Sequence, residues 1–190
     1  MSGPISSRAF LGLGGNLGDP AKAMATALAT IDADPHTRVI AVSSLYRTPP
    51  WGKPDQPYFL NAAVEVFTSH EPRALLELCL GAERKLKRVR AERWGPRTID
   101  IDILIFGKIH VREEGLEIPH PRMTERAFVL APLAEIAPAM VIAGRAVEAW
   151  LADADASGIE RAASGDWWKI HPGSSSRPTK RSEEEPGSIP

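Results

Sequence analysis

Asp100 and Asp102 stand two residues apart in the run "RWGPRTIDIDILIF", residues 93–106. Six large apolar residues, Ile99, Ile101, Ile103, Leu104, Ile105 and Phe106, surround them, which is the composition of a buried strand. Strand side chains alternate, so Ile99, Ile101, Ile103 and Ile105 are expected on one face. Asp100 and Asp102 fall on the other, followed by Leu104 and Phe106. Two carboxylates about 7 Å apart along a strand repel by roughly 2 kcal/mol at an effective dielectric near 20. A divalent cation reverses the sign of that energy. Oxygen ligands suit Mg²⁺, which takes one or two carboxylates and completes its shell with water and substrate phosphates. The alternative is an exposed strand start, neutralised by Arg93 or Arg97.

The neighbours favour the first reading. Arg84, Lys85, Lys87, Arg88, Arg90, Arg93 and Arg97 precede the pair, opposed after Glu83 only by Glu92. The first four can be a solvated helix face. Gly95-Pro96 breaks any helix, so the later arginines belong to a loop. An arginine-rich loop ending beside two carboxylates suits a polyphosphate, which arginine grips in a planar fork and Mg²⁺ bridges. Trp94 adds a face for a planar ring. His120 lies between two prolines in "IPHPR", which fix its backbone; a lone histidine is more often structural than catalytic. Zinc-type spacing of His and Cys is absent, as is a Ser-His-Asp or Cys-His arrangement. The loop "GLGGNLGD" invites a nucleotide reading, but the dinucleotide pattern begun at Gly12 meets Leu17 at its last glycine position. No Gly-Lys-Ser/Thr triplet exists either. A tight strand-to-helix turn accounts for these glycines.

The elements that must position these residues follow from pattern. Residues 9–14 read as a strand. Asp19 is placed to cap, and Pro20 to begin, a helix over Ala21–Ala33. Strands are expected over Thr37–Tyr46 and 58–68, separated by a loop with four prolines. Pro72–Lys87 reads as a helix with Leu75, Leu76, Leu78, Cys79 and Leu86 on its apolar side, and Thr98–Phe106 as the Asp-bearing strand. That β-α-β-β-α-β order is ferredoxin-like, an α+β sandwich. Beyond it a short strand (Leu116–Ile118), a helix near Val129–Ile136, a strand at Met140–Ile142 and a helix at Val147–Ala154 are expected. Residues 1–7 read as a loose arm, 8–170 as one domain, and 171–190 as a tail with too little apolar surface to offset ordering entropy.

The chain of 190 residues is 43% hydrophobic and 25% charged, ordinary for a globular protein, with net charge −1 and pI near 6.5. That balance argues against a dedicated nucleic-acid binder. The single cysteine, Cys79, excludes an intrachain disulfide. No apolar run approaches the ~20 residues of a membrane span, and the first residues lack the pattern of a signal peptide. A cytoplasmic location is expected.

The block "RWGPRTIDIDIL" closely resembles the signature of the 6-hydroxymethyl-7,8-dihydropterin pyrophosphokinases of folate biosynthesis. So do "GGNLGD", "SLYRTPPWG", "QPYFLNAAVEV", "IPHPRMTERAFVLAPLAEIAP" and the Glu83-to-Arg90 run. The blocks occur in family order across residues 9–142. The resemblance implies a ferredoxin-like fold and transfer of the β,γ-pyrophosphoryl group of ATP to the pterin hydroxymethyl oxygen, with release of AMP and the help of two Mg²⁺ ions. It implies that Asp100 and Asp102 hold the metals and that Arg97 lies beside the phosphates. It places Arg88 and Arg90 on a mobile catalytic loop, with Trp94 closing over the site. ATP contacts are implied for Ile103, His120 and Arg126. On the pterin side it implies Thr48, Pro49 and Trp51, the amide of Asn61, and Phe59 and Phe128 sandwiching the ring. Small-molecule substrates and a monomer, with neither nucleic acid nor membrane as partner, are expected.

Gly15, Leu80 and Lys87 depart from the family's usual serine, glutamine and glycine, which bears on loop dynamics and ATP contacts rather than on the reaction. Two other classes compete. Ferredoxin-like sheets also bind RNA through aromatics on central strands, but "FLGLG" and "FLNAAVEVF" lack that aromatic pattern. A metal-dependent phosphohydrolase fits the composition and would release phosphate from ATP without pterin.

Overall fold

The computed structural model of the protein describes residues 6–50, 55–86 and 96–169. Strand β1 (Ser7–Gly15) leads into α1 (Pro20–Asp32). The Asp19 side chain accepts the Lys22 N–H at 3.0 Å, and Pro20 opens the first turn, where a missing N–H costs nothing. Strands β2 (Thr37–Val42), β3 (Leu45–Thr48) and β4 (Phe59–Thr68) follow, then α2 (Pro72–Lys85) and β5 (Asp100–Phe106). The expected single strand over Thr37–Tyr46 is thus two strands, broken at Ser43–Ser44. β2 pairs with the second half of β4 and β3 with the first.

The sheet runs β3-β4-β1-β5, with antiparallel neighbours throughout, which is the ferredoxin-like order read from the sequence. The C-terminal part adds a hairpin, β6 (Val111–Glu113) with β7 (Leu116–Ile118), then helix α3 (Ala127–Ile136). A second small hairpin, β8 (Val141–Ile142) with β9 (Arg145–Ala146), precedes α4 (Val147–Asp153). Strand β10 (Glu160–Ala163) pairs with β3 and extends the sheet on that side. Its sequence, "ERAA", carries no alternation, so pattern alone does not reveal it.

Helices α1 and α2 cover one face of the sheet, with Met24, Leu28, Ile31, Leu75 and Cys79 packed on Leu11, Leu13, Val64 and Val66. On the other face, Leu130 and Leu133 of α3 and Val147 of α4 cover Phe10 and Ala63. That second layer spans only part of the sheet. The uncovered part holds the pocket described below.

Strand β5 departs from simple alternation. Leu11 pairs with Ile103 and Phe10 with Ile105, which leaves Leu104 as an extra residue, a β-bulge. Ile99, Ile101 and Ile103 face α1 and α2 as expected. Past the bulge the parity inverts: Ile105 joins Leu104 under α3, and Phe106 turns to the main core. The expectation that Ile105 shares the isoleucine face, with Phe106 opposite, is corrected by that one residue.

Candidate active site

A pocket of about 260 Å³ opens on the uncovered sheet face. Its floor includes Asp100 and Asp102 of β5, Gly12 and Gly14 of β1, and Asn61 and Phe59 of β4. Thr48 and Pro49 line one side, and Arg97, His120, Arg126 and Phe128 complete it. The structure therefore gathers residues as distant in sequence as Gly12 and Phe128 into one cavity.

The Asp pair sits on the exposed side of a strand whose other side is buried. Ile101, between the two, has its N–H taken by the Glu83 carboxylate at 2.8 Å. Glu83 is buried on α2, so the helix ties down the strand at the site. Asp102 opens onto the pocket, yet the surrounding walls strip much of its hydration. That enclosure, with repulsion from Asp100, pushes its carboxyl up to about 6, although Arg126 and Arg97 pull the other way. Asp100 is ion-paired with the Arg97 guanidinium. The salt bridge offered as the alternative role of this pair thus exists for Asp100. Among the described residues no group of three or more His, Cys, Asp or Glu side chains is arranged to hold a metal. A two-carboxylate, all-oxygen donor set fits Mg²⁺, which leaves most of its shell to phosphates and water.

Arg97 is fixed by the glycine loop. Asn16 Oδ1 accepts the Arg97 N–H at 2.9 Å, and the Arg97 carbonyl accepts from Asn16 N at 2.9 Å and Leu17 N at 3.2 Å. Asn16 also donates to Pro57 O at 3.2 Å, which joins this segment to the loop before β4. A side chain at Gly15 would place Cβ 2.5 Å from the Thr98 carbonyl oxygen, so the approach is this close because the residue here is glycine, and a larger residue would push the two segments apart. The loop serves as the strand-to-helix turn expected from sequence and also as a clamp on Arg97.

His120 is placed by the bulge. The Leu104 carbonyl accepts the His120 N–H at 2.9 Å. His120 Nδ1 faces the Arg122 N–H at 3.2 Å and accepts from it, which leaves Nε2 to carry the proton of the neutral ring. Burial, helped by the positive charge of Arg126, lowers the His120 pKa, so the neutral donor form prevails. Burial and Arg122 likewise lower the Arg126 pKa.

The opposite wall is neutral. Asn61 Nδ2 donates to Thr48 Oγ1 at 2.7 Å, and both residues are buried. A methyl at Gly14 would lie 2.9 Å from Asn61 Oδ1, so the amide rests against bare backbone. Phe59 and Phe128 both line the cavity, each with a guanidinium nearby: Arg97 is 5.5 Å from the Phe59 ring centre and Arg126 is 5.7 Å from that of Phe128.

Ile103 does not join this group. Its side chain is buried with Leu11 on the far face of the sheet, which leaves only its backbone for a ligand. Trp51, Arg88, Arg90 and Trp94 lie outside the described residues. Sequence reasoning missed Glu83 and Asn16 as supports of the site. A lone glutamate in a helix looks like a solvated charge, and Asn16 looks like a turn residue. Cys79 is buried, and burial pushes its thiol up to about 12, so thiolate chemistry is absent there.

Fold and pocket together define a ferredoxin-like α+β protein with a cavity that pairs a carboxylate-and-arginine end with an aromatic, hydrogen-bonding end. The fold is that of a solved Plasmodium falciparum protein, HPPK-DHPS, wild type with pteroate, at a TM-score of 0.63 and 17% identity. The match covers 80% of this chain and 43% of that one, so the chain spans under half the length of that protein. The family model for 7,8-dihydro-6-hydroxymethylpterin-pyrophosphokinase matches residues 10–138, and the chain belongs to that family. It is 55% identical over 155 residues to the 2-amino-4-hydroxy-6-hydroxymethyldihydropteridine pyrophosphokinase of Methylorubrum extorquens, covering 82% of this chain and 98% of that one. The Bacillus subtilis protein of the same name is 48% identical over 132 residues, covering 70% and 79%.

Proposed function

We propose that the protein transfers the β,γ-pyrophosphoryl group of ATP to the hydroxymethyl oxygen of 6-hydroxymethyl-7,8-dihydropterin, forming the pterin diphosphate and AMP, a step of folate biosynthesis. The observation that carries this reading is the two-ended pocket, with Asp100, Asp102, Arg97, His120 and Arg126 at one end and Thr48, Asn61, Phe59 and Phe128 at the other. In the transfer, the pterin oxygen forms a bond to the β-phosphorus, and the bond from that phosphorus to the oxygen bridging to the α-phosphorus breaks. The hydroxyl proton leaves to solvent or to a phosphate oxygen, and AMP departs.

Asp100 and Asp102 would hold two Mg²⁺ ions, which, when bound, neutralise phosphate charge and align the reacting groups. The protein's own residues do the rest. Arg97 and Arg126 place cationic donors beside the phosphates, and His120 Nε2–H offers a neutral one. Asn61, held by Thr48, presents its amide to the edge of the pterin ring, while Phe59 and Phe128 stack on its faces. By resemblance, Arg88 and Arg90 would supply further phosphate contacts, Trp51 would contact the pterin, Trp94 would close over the site, and Ile103 would contribute through its backbone. Positioning and charge stabilisation account for the catalysis, with no covalent intermediate.

We read the protein as a cytoplasmic monomer acting on small molecules. No helix among the described residues is long and apolar enough to cross a membrane. The test is to incubate protein, Mg²⁺, ATP and 6-hydroxymethyl-7,8-dihydropterin, and to identify the nucleotide formed. AMP that appears only with pterin is expected. Phosphate and ADP released without pterin would establish the phosphohydrolase reading instead.

A further inference from the structure

The break between β2 and β3 is closed by side chains rather than by the sheet ladder. Ser43 N donates to Ala63 O at 2.9 Å, but Ala63 N donates to the Ser43 hydroxyl, also at 2.9 Å. The Ser43 carbonyl accepts from Trp167 Nε1 at 2.8 Å. Ser44 N leaves the ladder and donates to the Glu135 carboxylate at 3.1 Å; Ser44 Oγ donates to it at 2.8 Å. Tyr46 Oη donates to the same carboxylate at 2.8 Å, and Arg161 of β10 approaches it to 3.8 Å. Ser43 and Ser44 are buried, so each of these backbone groups requires its partner.

Glu135 stands near the end of α3, the helix that begins at Ala127–Phe128. The strand it grips, β3, is four residues long and ends at Thr48. One carboxylate therefore joins the helix carrying Phe128 to the strand that ends at Thr48, the partner of Asn61: two walls that would meet the planar ring on one face and at its edge. We propose that Glu135 is a positioning residue for pterin recognition: it sets the separation of these walls and does not touch either substrate. The inference rests on the functional reading above. It assigns no part of the ATP end to Glu135, because Asp100, Asp102 and His120 are positioned by Glu83 and the β5 bulge instead.

The test is steady-state kinetics on the full chain carrying Glu135→Ala or Glu135→Gln, with thermal midpoints and calorimetric pterin binding in the presence of Mg²⁺ and α,β-methylene-ATP. Glu135→Ala is expected to raise the KM for the pterin about 10-fold or more, the scale of a buried donor left unpaired. The KM for ATP and kcat should stay within about 2-fold, the pattern of lost uniform binding of one substrate. Glu135→Gln keeps an oxygen for Ser44 and is expected to recover most of the pterin affinity. If Glu135→Ala does not fold, Tyr46→Phe, which removes one donor to the carboxylate, should show a smaller rise in pterin KM alone. An unchanged pterin KM in the folded variants, or an equal rise for both substrates, overturns the role of Glu135. Wild-type protein that makes no AMP with the pterin overturns the functional reading beneath it.

Discussion

At the β5 end of the pocket, Asp102, His120 and Arg126 are each held in surroundings adverse to their charge: the carboxyl is pushed up, the imidazole and guanidinium pushed down. At the β3–β4 end, Thr48 and Asn61 satisfy one another, and no charged group lies between them. The first end is completed by a ligand bringing opposite charges. The second is held in place before any ligand arrives. Loss of a residue should therefore have opposite signatures at the two ends: large effects on turnover with little cost in stability at the first, and affinity effects for one substrate at the second.

The largest effect is expected for Asp102. Asp102→Asn removes a metal-type oxygen and should lower turnover at least about 10²-fold, since the charge stabilisation that a bound metal supplies is worth several kcal/mol. The variant should be no less stable. The folded protein holds this carboxyl at about 6, above its ordinary value near 4. The native state thus binds the proton more tightly than the unfolded chain, and ionisation between about pH 4 and 6 destabilises it. Without Mg²⁺, the thermal midpoint of Asp102→Asn should exceed the wild type's at pH 7.5 and match it at pH 3.5. A variant that is less stable at pH 7.5 yet keeps its turnover would make Asp102 a structural ion-pair partner and erase the contrast between the ends.

Arg126→Ala should follow, lowering kcat by about 10²-fold, the scale for loss of one preorganised charge-stabilising group. Because Arg126 is the foremost influence holding the Asp102 carboxyl down, its loss should raise that pKa further, visible as an upward shift of the acid limb of the pH–rate profile. An unshifted limb would separate the two groups electrostatically. Phe128→Ala tests the other end. It should weaken pterin binding by about 1–3 kcal/mol, as for bases stacked on aromatics, with ATP binding unchanged in calorimetry. Parallel loss of both ligands would indicate damaged folding. Truncation after Pro172 should give the smallest effect, with turnover and thermal midpoint both unaltered. A midpoint lowered by several degrees would show that residues beyond 172 pack on the domain.

Periodicity and capping made the βαββαβ frame legible. Asp19 and Pro20 announce α1, and the isoleucines at 99, 101 and 103 announce the buried side of β5. Three features escaped for a shared reason: each depends on a partner distant in sequence. Ser43 and Ser44 read as continuing a strand, because the groups that stabilise the break are Glu135 and Trp167. The parity change at Leu104 needs β1 beside it. Strand β10 has no apolar alternation and forms because β3 offers it an edge. For the site, residue types and spacing pointed to the carboxylates and arginines. The proposed pterin wall came from resemblance, because Thr48, Asn61, Phe59 and Phe128 have no chemistry of their own to advertise.

The bare backbone at Gly14 also bears on how this pocket could escape an inhibitor. A compound that lies against the β1 floor contacts a position where even one added methyl meets Asn61 Oδ1 at 2.9 Å. Any substitution there that excludes the compound also presses on the Asn61 amide, the group proposed to meet the edge of the natural ring. On the proposed role of Asn61, resistance arising at that position would cost recognition of the natural substrate. Compounds anchored on Gly14 are therefore harder to evade than compounds that reach for side chains at the rim.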